Sequence, residues 1–97
     1  MANFIIRVEL HNAQSQHYTT LAKKLAQSGI TDVITAGDSS RYKLPPAEYV
    51  YSGNEPLAQV VSAVKQIANT VIASNAVLAS QAENIRWEGL EQVRQYA

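Results

Sequence analysis

The stretch FIIRVELH, residues 4–11, alternates without a break: Phe4, Ile6, Val8 and Leu10 are apolar, and Ile5, Arg7, Glu9 and His11 form a second, mostly charged comb. Period two is the mark of a strand with one face buried and the other open. In HNAQSQHYTTLAKKLAQSG the period changes. Tyr18, Leu21, Ala22 and Leu25 fall at helical spacing, Ser15 is a candidate N-cap and Gly29 a natural stop, so a helix is predicted over about residues 16–28. ITDVITA is short and β-branched, the turn-forming GDSS follows it, and RYKLPPAEYVYSG then reads as extended chain. Pro45 and Pro46 cannot donate ladder hydrogen bonds, so they either split this strand or lie on an edge, and residues 47–51 are its secure part.

Beyond the SGN turn, Asn54 and Glu55 can cap a helix that tolerates Pro56 in its first turn. Leu57, Val60, Val61, Val64, Ile67, Ala68 and Val71 make one apolar stripe along it. AVLAS supplies a further strand near residues 76–80. The order strand, helix, strand, strand, helix, strand is that of an α+β, ferredoxin-like βαββαβ domain over residues 1–82, an antiparallel sheet with two helices on one face. It would place strands one and three at the centre. Residues 83–97 form a C-terminal extension with Trp87 as its anchor; a short strand, a helical turn and a docked tail remain open for it.

A chain of 97 residues, 46 % hydrophobic and 16 % charged, has the make-up of one ordered domain. Eight basic and eight acidic residues cancel, so any nucleic-acid binding must come from a local patch and not from the whole-molecule field. Without cysteine there are no disulfides, thiolate metal sites or cysteine nucleophile, which is compatible with a reducing cytoplasm. MANFIIRVEL has no basic leader followed by a long apolar run, and charges interrupt every later run before about 18 residues. The expectation is a cytoplasmic protein with no membrane association.

If the apolar comb of the first strand packs under the helices, the charged comb faces outward, toward water, a second copy of the chain or a ligand such as RNA. Tyr49 and Tyr51 alternate and so share one face, which Tyr42 can join. Beside Arg7 they would form a platform on which single-stranded RNA bases stack; packed inward they would be ordinary core tyrosines with wet hydroxyls. Arg7, Arg41 and Lys43 are the candidate phosphate contacts. His11 ends the first strand and His17 opens the first helix, so the loop between them could pair them as base and acid for attack of a ribose 2′-hydroxyl on its phosphate. A metal site would have only Glu9 and Asp38 to complete it, so none is expected, and no phosphate loop, nucleophile elbow or cofactor box is found.

Together FIIRVELHNA, Tyr18, RYKLPPAEYVYSGN and WEGLEQV resemble small bacterial and prophage proteins grouped with the GhoS endoribonuclease antitoxins. The likeness spans nearly the whole chain. It implies a ferredoxin-like fold similar to that of CRISPR-associated small nucleases and, as in GhoS, cleavage of the message for a small membrane toxin; it carries no catalytic signature across. Two functions are therefore expected in competition: a metal-independent endoribonuclease, with His11 and His17 catalytic and Arg7, Arg41, Lys43, Tyr49 and Tyr51 on RNA, or a non-catalytic homodimeric interaction module. Neither requires a small-molecule cofactor.

Overall fold

In a computed structural model, which describes residues 1–93, the chain is an α+β domain with two helices and two antiparallel three-stranded sheets. Strand β1 (Ala2–Leu10) is the axis. It pairs antiparallel with β4 (Glu48–Gly53) on one side and β5 (Asn75–Ala82) on the other. The small second sheet joins β2 (Val33–Thr35), β3 (Arg41–Lys43) and β6 (Gln92–Val93), in the order β2-β3-β6.

The alternation of β1 decides how the layers stack. Phe4, Ile6, Val8 and Leu10 are buried, and they pack with Leu21 and Leu25 of α1 (Ser15–Ala26) and with Val60, Val64 and Ala68 of α2 (Leu57–Asn69). Both helices therefore cover the same face. Each Leu, Phe or Val removed from water in this way contributes on the order of 1.5–3 kcal/mol before ordering costs. The charged comb is left on the other face, where Arg7 and Glu9 are exposed.

Helix boundaries follow local chemistry. Gln14, not Ser15, is the N-cap of α1, and its backbone N–H donates to His17 Nδ1 at 3.0 Å, half of a capping box. At the other end Gly29 takes φ +78°, and Ile30 N–H returns to the Leu25 carbonyl at 3.0 Å, which closes the helix in a left-handed turn. For α2 the N-cap is Pro56, whose carbonyl accepts from Gln59 and Val60; Asn54 and Glu55 lie just outside.

Pro45 and Pro46 do split the extended segment, and more deeply than a break within one strand. Glu48 N–H donates to the Pro45 carbonyl, Ala47 takes φ +66°, and the chain turns between β3 and β4. Consequently β3 leaves the main sheet altogether. Of the expected order, β4 as the third strand does lie beside β1, with β5 on the other side. What departs from it is the second strand, β2, which joins β3 in the smaller sheet, and β4 meets the preceding segment at a bridge, where Thr31 and Val50 exchange hydrogen bonds of 3.1 and 2.8 Å.

Of the extension expected over residues 83–97, residues 94–97 lie outside the described residues. Within the rest, β6 pairs with β3, and the Trp87 ring lies 5.6 Å from that of Tyr42 at a tilt of 56°.

Candidate functional site

A cleft of about 710 Å³ opens where α1, the Pro45–Ala47 turn and the end of β1 converge. Three cations line it, Arg7, Lys23 and Lys43, together with Asp32, the hydroxyl-bearing Ser15, Tyr18, Thr19 and Tyr49, and the Pro45, Pro46, Ala47 and Ala22 surfaces. Its volume falls in the range of ordinary ligand sites, and its lining has more positive than negative charge. The molecule as a whole is neutral; the cleft is not.

Each wall has a structural cause. Arg7 is brought here by register, because its strand partner is Glu48, and the guanidinium Nη1 donates to Glu48 Oε1 at 3.2 Å while most of the side chain stays in water. Lys43 is the last residue of β3 and forms an ion pair with Asp32. Lys23 lies one helical turn beyond Thr19 on α1 and has no side-chain hydrogen bond or ion pair among the described residues. Tyr18 ties α1 to the end of β1, its hydroxyl accepting from Leu10 N–H at 2.9 Å. Behind it Tyr49 is 3 % exposed, and burial, then the nearby Asp32 and Tyr18, push its phenol up to about 12.

The two tyrosines assigned to base stacking are where the structure departs most from that expectation. Tyr49 and Tyr51 do share a face, but it is the helix-covered one. They pair across β1 with Ile6 and Phe4, and Tyr51 stacks on Phe4 with ring centroids 6.1 Å apart. Neither ring stands beside the charged comb. The cross-strand neighbours of that comb on β4 are Glu48, opposite Arg7, and Val50, opposite Ile5. Tyr42 is turned to Trp87 in the second sheet.

The two histidines also have separate commitments. His11 Nδ1 is 2.8 Å from Ser74 Oγ, and its Nε2 is 3.1 Å from Glu9 Oε1. If Glu9 accepts from Nε2–H, Nδ1 is the basic nitrogen and the Ser74 hydroxyl donates to it. His17 uses Nδ1 to accept the Gln14 amide, which fixes the neutral ring with its proton on Nε2. No hydrogen bond joins the two rings among the described residues. Arg41 pairs with Thr35 and Val93 in the second sheet and is not part of the cleft lining. Asp38 is occupied in its own turn, where hydrogen bonds from the Ser40 side chain and amide hold its carboxyl below the usual range. Among the described residues no three His, Asp or Glu side chains gather as a metal-ligand set, and no helix is long and apolar enough to cross a membrane.

Sequence reasoning found Arg7 and Lys43 but missed Lys23, Asp32 and the two prolines as cleft walls. Spacing offers one usable signal: Ser15, Tyr18, Thr19, Ala22 and Lys23 repeat at three and four residues, a mixed polar face adjoining the buried stripe. Comparisons with protein-family models, with curated proteins and with solved structures found no match to this chain.

Proposed function

We propose that the chain binds single-stranded RNA through the Arg7–Lys23–Lys43 cleft and acts in the cytoplasm as an endoribonuclease of the antitoxin type that its sequence resembles. The observation that carries this reading is the cleft itself, a concentration of cations on a chain whose net charge is zero. Phosphate contact supplies most of the affinity of nucleic-acid binders, and exposed Lys and Arg side chains beside hydroxyls are suited to it. A ferredoxin-like scaffold agrees with the β4-β1-β5 core under two helices and with the Thr31–Val50 bridge that continues the sheet beyond β4.

In this reading base stacking is not supplied by Tyr49 or Tyr51, because their rings are packed inward; the phosphate contacts carry binding. Cleavage would use His11 Nδ1, oriented by Glu9, as the base that takes the 2′-hydroxyl proton, and His17 as the acid once it has taken up a proton at Nδ1 and released the Gln14 amide, the resulting imidazolium protonating the leaving oxygen. Neither histidine lines the cleft itself, so in this reading the RNA strand runs beyond it to reach them. Arg7 would stabilise charge on the phosphorane.

The test is incubation of nuclease-free protein with a mixed single-stranded RNA pool in chelator, beside folded His11→Ala, His17→Ala and Lys23→Glu variants. Cleavage lost in either histidine variant, with binding weakened in Lys23→Glu, is expected. Intact RNA with undiminished binding would remove the catalytic half of the proposal, and absence of both binding and cleavage would remove all of it.

A further inference from the structure

Strand β5 is hydrogen-bonded on one side only among the described residues, to β1, and its other edge faces away from the sheet. His11 N–H reaches the Ser74 carbonyl and Val8 N–H reaches the Ala47 carbonyl, so odd-numbered residues of β1 point their backbone groups at β5 and even-numbered ones at β4. Their β5 partners Ala76, Leu78, Ser80 and Ala82 accordingly point inward. By alternation the amides and carbonyls of Val77, Ala79 and Gln81 point outward.

Soluble proteins blunt such edges with lysine, proline, bulges or very short strands. Among the described residues β5 has such protection only at its first residue, where Lys65 Nζ donates to the Asn75 carbonyl at 3.0 Å. Its sequence NAVLASQA spans eight residues without a charge or a proline, and Leu78, 67 % exposed, stands out of its open face. The opposite border of the main sheet is treated differently, because β4 meets Thr31 there.

We infer that β5 pairs antiparallel with β5 of a second copy of this chain, joining the two main sheets into one continuous sheet across a two-fold axis. Three observations select a second copy as the occupant. An antiparallel two-fold centred on Ala79 sets Val77 opposite Gln81 of the copy, so the same outward amides and carbonyls complement themselves. The strand carries no charge, so its juxtaposition with itself brings no like charges together. The other border is occupied at its middle, where Val50 pairs with Thr31, so β5 is the longer unpaired edge of the main sheet among the described residues, and its two-fold pairing with itself closes at a dimer instead of propagating. On the open face Leu78 then lies opposite Ser80 of the copy, covering apolar surface that water otherwise meets. The inference is independent of RNA binding, since the cleft is at α1 and the Pro45–Ala47 turn.

The test is mass measurement by light scattering over a dilution series of the full chain, with Ala79→Pro and Leu78→Lys. Proline at position 79 removes only an outward N–H, which an edge strand tolerates. A concentration-dependent mass approaching twice the 10.6 kDa chain is expected, with the transition moved to at least tenfold higher concentration in both variants. Amide hydrogen exchange of the unmodified protein provides a readout that does not depend on either variant folding. Val77, Ala79 and Gln81 should become protected with rising concentration. A monomeric mass at every concentration overturns the inference, as does a dimer in which those three amides exchange freely.

Discussion

The Tyr51 hydroxyl donates to Glu55 Oε2 at 2.6 Å, linking β4 to the residue just before the Pro56 cap of α2. The same Tyr51 ring stacks on Phe4 at the centre of the core. One side chain therefore ties strand, core and helix entry together. Gly53 is what leaves room for it, since a Cβ there would lie 2.7 Å from the Tyr51 hydroxyl and closer still to the Glu55 carboxylate.

This hydrogen bond holds the Glu55 carboxyl below its usual range and raises the Tyr51 phenol. A carboxyl lowered by folding stabilises above its ordinary pKa, and that contribution is lost as pH falls through the lowered value; a raised phenol stabilises below its ordinary pKa and loses the contribution as pH rises. Tyr51→Phe should return the Glu55 titration, followed by NMR, toward that of a free glutamate and move acid unfolding to higher pH. Gly53→Ala should do the same by displacing the pair. An unchanged Glu55 titration in Tyr51→Phe would show that the bond is not made.

Tyr49 gives the alkaline limb. Its phenol, pushed to about 12 chiefly by burial, ionises readily only in the unfolded chain, so stability is unaffected below about pH 10 and declines from there toward 12. In a spectrophotometric titration Tyr49 should ionise last, together with unfolding. Tyr49→Phe should flatten the loss of stability over that interval, and an identical alkaline limb in the variant would contradict the burial of this ring.

The parity of β4 explains what the sequence disclosed and what it withheld. The comb of β1 was legible because its two halves differ so plainly in polarity, and both helices were legible from stripes such as Leu57, Val60 and Val64. In β4 both parities contain apolar residues, and the attraction of two alternating tyrosines near an arginine obscured the simpler comparison. Glu48, Val50 and Ser52 are together more polar than Tyr49, Tyr51 and Gly53, so the first set belongs outside. The departure of β3 from the main sheet was harder to foresee. It depends on the tight turn at Pro45–Ala47 and on pairing with Gln92 and Val93, a contact between residues distant in the chain. For the same reason the cleft, assembled from four separate segments, left little trace in any one of them.

Ala47 lines that cleft with φ +66°, a left-handed conformation that costs an L-residue about 1–2 kcal/mol, while its carbonyl is held by Val8 N–H at 3.1 Å. Glycine pays no such cost but loses roughly 0.5–1 kcal/mol in chain entropy on folding. Ala47→Gly should therefore leave stability unchanged or raise it by up to about 1 kcal/mol, measured by denaturant unfolding, in contrast to the loss usual for Ala→Gly. A loss of more than about 1 kcal/mol would mean that the turn at residue 47 is not left-handed.

Lys23 and Lys24 separate binding in the cleft from general attraction of a cation to RNA. They are adjacent, and replacing either with alanine changes net charge equally. Lys23 lines the cleft with its ammonium free of partners among the described residues, whereas Lys24 donates to Thr70 Oγ1 at 3.0 Å at the end of α2. If RNA lies in the cleft, Lys23→Ala removes one phosphate contact, and the slope of log affinity against log salt should fall by about 0.7. Lys24→Ala should leave that slope unchanged. Both variants should melt within a few degrees of the parent, because neither residue is buried and lone surface pairs contribute little. Equal slopes for the two variants would place the bound RNA elsewhere on the surface, since diffuse attraction depends on net charge and not on which of two neighbouring lysines supplies it.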